Sequence, residues 1–124
     1  MAVIDPVVLD QAKRKMLALR ATGGSGWKIT QFAVGDGNGA SYTPDSSMTG
    51  LKNELIRKSV ASYEKESDDA YIYHCLLAED ECVGASIREI ALIDSDGMPL
   101  FIKVFSAKKK DSDREMEFKI RDTF

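Results

Sequence analysis

The 124-residue chain has no surplus of positive charge: 17 Lys+Arg stand against 20 Asp+Glu, a formal net charge of −3. Sequence-independent nucleic-acid binding needs cations that displace counterions from phosphates, so a general DNA or RNA binder is not expected. Long hydrophobic runs are absent too. The longest extend for a few residues, against the roughly 20 that a membrane-spanning helix requires, so no membrane insertion is expected. The opening Met1-Ala2-Val3-Ile4-Asp5-Pro6 has neither a basic nor a long apolar region, so no signal peptide is expected. Two cysteines, Cys75 and Cys82, are too few for a disulfide scaffold. His74 is the sole histidine, and it neighbours Cys75 directly. In a strand those two point to opposite faces, which undoes a His74–Cys75–Cys82 metal site completed by Asp80 or Glu81. Two buried or partly buried thiols are expected instead, paired only if the chain matures in an oxidising compartment.

What the chain does contain is 44% hydrophobic and 30% charged residues, the proportions of a soluble folded protein. Its length suits one domain spanning 1–124. A helix is predicted over about 5–21, with Asp5 as N-cap and Pro6 at the first helical position. Val8, Leu9, Ala12, Met16 and Leu19 form its apolar stripe, and Thr22-Gly23-Gly24-Ser25-Gly26 stops it. The region from about 27 to 124 reads as β structure. Strands are expected at Trp27 to Val34, Tyr71 to Leu77, Ile87 to Ile93, Pro99 to Phe105, and Glu115 to Arg121. Gly35 to Ser47 reads as a loop. Met48 to Val60 suggests one helical turn leading into a strand over Ile56 to Tyr63. Lys108 to Arg114 reads as a charged loop. Together these predict an α+β fold: one N-terminal helix, then a mostly antiparallel sheet or small sandwich of about five strands.

Three local patterns invite chemistry. Gly35-Asp36-Gly37-Asn38-Gly39 has the glycine content of a phosphate loop, but neither a lysine nor a helical run follows, and a turn explains it. Asp94, Asp96 and Gly97 resemble the opening of a calcium loop. Pro99 and Leu100 break that pattern, whereas an Asp-Gly pair between apolar runs is a hairpin signal. Arg88 and Glu89 interrupt an apolar strand, which suggests a structural ion pair or a subunit contact. No Ser/His/Asp or Cys/His arrangement emerges, so no enzyme and no cofactor are expected.

Longer motifs are recognisable in order. Lys28-Ile29-Thr30-Gln31-Phe32-Ala33-Val34-Gly35-Asp36-Gly37-Asn38-Gly39 resembles the "ITxxAVGDGxG" element of phage tail-collar fibre proteins. Thr49 to Arg57, containing Asn53, Glu54 and Arg57, resembles that family's "TxLxNExxR". Gly84 to Asp94, containing Arg88 and Glu89, resembles "GxxIREIGLFD", with Asp96-Gly97 following. The resemblance runs from about Asp5 to about Phe105. It departs at Ala91, where the family has Gly, and at the Lys108-Lys109-Lys110 segment, where it has a Pro-rich stretch.

The resemblance implies a structural part of a phage tail or of a phage-tail-like contractile particle (a tailocin). Such a part attaches fibres to the baseplate through protein–protein contacts, forms a homo-oligomer, generally a trimer, and lacks enzymatic activity. It is assembled in the bacterial cytoplasm and incorporated into the tail. Ending at Phe124 without a shaft or receptor-binding tip, the chain is expected to be a short baseplate component or adaptor. The motif residues Gly35, Asp36, Gly37, Gly39, Asn53, Glu54, Arg57, Arg88, Glu89, Asp96 and Gly97 are expected to be structural or interfacial. The alternative is a small host-surface glycan-binding module in which Trp27, Tyr42, Tyr63, Tyr71 and Tyr73 stack on sugars.

Overall fold

A computed structural model describes residues 6–24 and 26–123. It shows eight strands and one α-helix, so the fold is mostly β rather than α+β. Strands β1 (Val7–Val8), β2 (Ile29–Gly35), β3 (Glu54–Ser59), β6 (Ser86–Asp94) and β7 (Pro99–Lys109) form one sheet in the order β1-β7-β6-β2-β3. Strands β4 (Ser62–Ser67), β5 (Ala70–Leu77) and β8 (Met116–Thr123) form a second in the order β4-β5-β8. Every pairing is antiparallel.

The count of about five strands fails for physical reasons. β1 is two residues long, too short for any periodicity. β4 is polar and exposed along its whole length, so it lacks the alternation that marks a half-buried strand. The expected strand over Ile56 to Tyr63 divides at Val60–Ala61, where the chain leaves one sheet for the other; residues 48–53 form no helical turn. β7 runs on to Lys109, further than the apolar pattern indicates, because its last residues still pair with Ser86 and Ile87.

Helix α1 (Asp10–Thr22) starts later than expected. Leu9 is its N-cap residue and offers no side-chain cap, Pro6 lies ahead of the helix, and Asp5 lies outside the described residues. The glycine stop is where the sequence puts it. Gly23 takes a left-handed φ of 73° and donates its N–H to the Leu19 carbonyl.

The sheets face each other across one core. Phe32 and Val34 from β2, Ile90 and Leu92 from β6 and Phe105 from β7 meet Cys75 and Leu77 from β5 and Phe118 and Ile120 from β8. The outer face of the larger sheet is covered differently. Leu9, Ala91, Ile102 and Val104 pack beneath Tyr42, Met48 and Leu51, which belong to the long connection between β2 and β3. That connection has no regular structure beyond a 3-10 turn at Gly37–Gly39. On the outer face of the smaller sheet, His74 bridges Glu64 of β4 (3.0 Å) and Glu117 of β8 (2.9 Å), and both carboxylates raise its pKa. Cys75 points the other way into the core, where burial pushes its thiol up to about 12. Cys75 and Cys82 are free thiols.

Candidate functional site

The motif residues gather around one carboxylate. Glu89 is fully buried on the outer face of β6, directly opposite Gly35 of β2. A register shift beside Arg88 separates Ile87 from Glu89 in the β6–β7 ladder, the kind of bulge that re-aims neighbouring side chains. Glu89 Oε1 accepts from the Tyr42 hydroxyl (2.5 Å) and the Lys52 N–H (2.9 Å). Oε2 accepts from the N–H groups of Gly37 (3.0 Å) and Asn53 (2.9 Å). Four donors from three points of the β2–β3 connection therefore converge on one side chain. Burial and the Glu89 charge together push the Tyr42 phenol well above its ordinary pKa, so it donates at any ordinary pH.

The rest of the motif supports this node. Asp36 accepts from the Asn38 N–H (2.9 Å) and from Asn53 Nδ2 (2.8 Å), which hold its carboxyl below the usual range. Arg88 donates to the Asp36 carbonyl (3.1 Å), and among the described residues neither Arg88 nor Glu89 forms the expected structural ion pair. Both instead grip the same loop. Gly35 is required by close approach: a Cβ there would lie under 3.0 Å from the Asn53 carbonyl oxygen and from Glu89 Oε2. The amides of the glycine loop are engaged by Glu89, by the Asp36 side chain and by the Asp36 carbonyl, an arrangement that leaves them no anion to cradle.

A second node sits at the β6–β7 turn. Asp94 is fully buried, and its Oδ1 accepts from the N–H groups of Asp96 and Met98 (both 2.9 Å). Its Oδ2 accepts from Lys15 Nζ (2.5 Å) and Trp27 Nε1 (2.8 Å). Burial alone would raise the Asp94 pKa; the bonds from Lys15, Trp27, Met98 and Asp96 outweigh it and hold the carboxyl below its usual value. Lys15 also reaches Asp96 (2.6 Å), so it ties α1 to the turn. Gly97, at φ 85°, completes the hairpin, and its carbonyl accepts from Arg57 (3.2 Å), which also pairs with Glu54 (2.8 Å). With four donors already on Asp94, the calcium-loop pattern has no free ligand at its first position. Among the described residues no group of three His, Cys, Asp or Glu side chains is placed to hold a metal.

Thus Gly35, Asp36, Gly37, Asn53, Arg88 and Glu89 meet at one node, and Glu54, Arg57, Asp96 and Gly97 belong to the other. Gly39 closes the 3-10 turn at φ 89° with open space around it. Sequence reasoning missed Tyr42 as a Glu89 partner and missed Lys15 and Trp27 as Asp94 partners, because no local pattern links residues 47, 79 and 67 positions apart.

The Lys15–Asp94 pair has a pH signature. A carboxylate whose folded pKa is lowered contributes stability above its unfolded value, and that contribution is lost as pH falls through the folded pKa. Lys15→Met should therefore unfold about 1–2 kcal/mol more readily at neutral pH. In urea titrations the gap to wild type should close as pH drops below the usual Asp range, since protonated Asp94 no longer distinguishes the two.

Comparison with known proteins agrees with these motifs. The family model for the N-terminal part of phage tail-collar fibre proteins matches residues 6–120. A probable tail fiber protein of Escherichia phage P2 is 33% identical over 92 residues, which cover 73% of this chain and 14% of that protein. The chain thus spans a small part of the relative's length. With the family model covering nearly the whole chain, this protein belongs to the phage tail-collar fibre family, to which it corresponds in the N-terminal part.

Proposed function

We propose that the protein is a structural component of a phage tail or phage-tail-like contractile particle, attaching or adapting fibres at the baseplate through protein–protein contacts. The observation that carries this reading is the use made of the motif. Its buried carboxylate, Glu89, is engaged by loop donors, so what the motif secures is the shape of a surface rather than a reactive group. The β2–β3 connection that Glu89 holds is long and irregular, and loops of that length in a compact domain are usually functional. Fixed on the outer face of the larger sheet, it offers a neighbouring protein a surface with little ordering entropy left to lose. The same reading makes the chain a non-enzymatic homo-oligomer, a trimer by family resemblance, assembled in the bacterial cytoplasm and carried in the tail.

The test is stoichiometry. Sedimented tail particles from the native host, washed at increasing salt, should retain the protein at a constant small copy number. Recovery of the protein only in the soluble fraction contradicts the reading. A host-glycan-binding module is the second reading, favoured by one observation: Tyr63 and Tyr71 are 67% and 38% exposed rather than core residues. A glycan array without hits removes it.

A further inference from the structure

A cleft of about 280 Å³ shares no residue with the Glu89 node. It opens between the inner stripe of α1 (Ala12, Met16), the start of β2 and the end of β8, and its walls are mainly apolar. Yet Asp122 lines it, and its carboxylate makes no hydrogen bond or ion pair among the described residues, not even with Lys28, the other charged residue of the lining. Burial raises the Asp122 pKa, as expected of a carboxylate drawn from water without compensation. Beside the cleft stands an aromatic rim. Tyr73 lines the cleft, Tyr63 lies 6.1 Å from Tyr73 between ring centres, and Tyr71 lies 6.3 Å from Tyr63. On the adjoining β4–β5 hairpin Glu64, Glu66 and Asp68 are already paired, with His74, Arg121 and Lys65 in turn, which leaves Asp122 as the carboxylate of the cleft. The surface therefore asks for an apolar anchor accompanied by a cation that meets Asp122.

The chain carries such a surface itself. Lys13, Arg14, Leu17 and Arg20 recur at helical spacing on the outer stripe of α1, and all four are exposed. Leu17 is 60% exposed, an apolar side chain framed by three cations. Lys15, by contrast, is occupied by Asp94 and Asp96. We infer that the outer stripe of α1 from one copy seats in the Asp122 cleft of the next, with Leu17 entering the apolar floor and Lys13 and Arg14 reaching Asp122 across the tyrosine rim. The two surfaces differ, so the contact is heterologous and repeats head to tail, which closes into a ring when the rotation allows. The space suits one anchor side chain and the stem of a basic one, whose charge removes the Asp122 penalty. This inference rests on the oligomeric-component reading above and names the surfaces it would use.

Sedimentation velocity on the 124-residue chain, at low and high salt, tests it. Wild type should associate reversibly, more weakly at high salt because cations meet a carboxylate. Leu17→Glu should raise the dissociation constant at least about 30-fold, as loss of a central anchor does. Asp122→Asn should weaken association about tenfold while raising the melting temperature of the separated chain, since it removes an unpaired half-buried charge. Mixing Leu17→Glu with Asp122→Arg should restore a heterodimer, because each variant keeps the half the other has lost. A monomeric wild type overturns the contact while leaving the presence of the protein in particles, measured separately, untouched. Association that neither variant weakens also overturns it, placing the oligomer contact elsewhere.

Discussion

Replacing Glu89 by Gln is expected to unfold the β2–β3 connection and lower the melting temperature on the order of 10 °C. The substitution keeps size and shape but turns one acceptor oxygen into a donor amide. Two of the four groups that meet Glu89 then face an N–H instead of an oxygen, whichever way the amide turns. Buried donors without acceptors lose about 1–3 kcal/mol each, so the total loss should reach about 3 kcal/mol or more. Tyr42→Phe removes a single donor and should lose about half as much. Limited proteolysis would distinguish local from global effects. Glu89→Gln should expose cleavage sites within 36–53 before the sheets open, because this side chain alone accepts from four donors of the connection.

Gly35→Ala is expected to be the most damaging of the glycine substitutions and to act at the same node. Its Cβ would enter space held by the Asn53 carbonyl and by Glu89 Oε2. Neither can retreat. The carbonyl lies immediately before β3, whose first residue, Glu54, pairs with Gly35, and the carboxylate is fixed by its donors. Overpacking of this kind destabilises by about 1–3 kcal/mol, and a backbone obstacle puts it at the upper end. Gly50→Ala is the control. Its Cβ would meet the Pro99 ring at 4.0 Å, ordinary contact, so the change should stay within about 0.5 kcal/mol. Urea midpoints at constant slope measure both. Equal midpoints for the two variants would mean that Gly35 serves flexibility rather than close approach.

These expectations depend on contacts that the sequence shows unevenly. Segments with a one-sided face were legible: Met116, Phe118 and Ile120 alternate as a half-buried strand, and Asp94 to Met98 makes the hairpin turn. The helix stop at Gly23 was legible as well. Its start was not, since Leu9 lacks a capping side chain and Pro6 mimics a first helical turn. β4 was invisible because its stability comes from pairing with β5 rather than from a buried face. That omission, with β1, turned a mostly β fold into an expected α+β one.

The candidate site was legible as motifs but not as contacts. Arg88 and Glu89 stand out as charges inside an apolar strand, but their partners lie in the β2–β3 connection, which no local pattern indicates. Asp122 did leave a signal. It continues the 116–118–120 alternation, so a carboxylate falls on an otherwise apolar face. Such a residue either pairs or waits for a partner.

Whether the protein is a built-in part of a tail is tested most directly by a symmetry-resolved cryo-electron microscopy map of native particles. Density for the two facing sheets is expected in a fixed number of copies where fibres meet the baseplate. The β2–β3 connection should be ordered against its own sheet, and α1 of one copy should be seated beside β8 of the next. A complete map of the particle with no density into which this fold fits would contradict it.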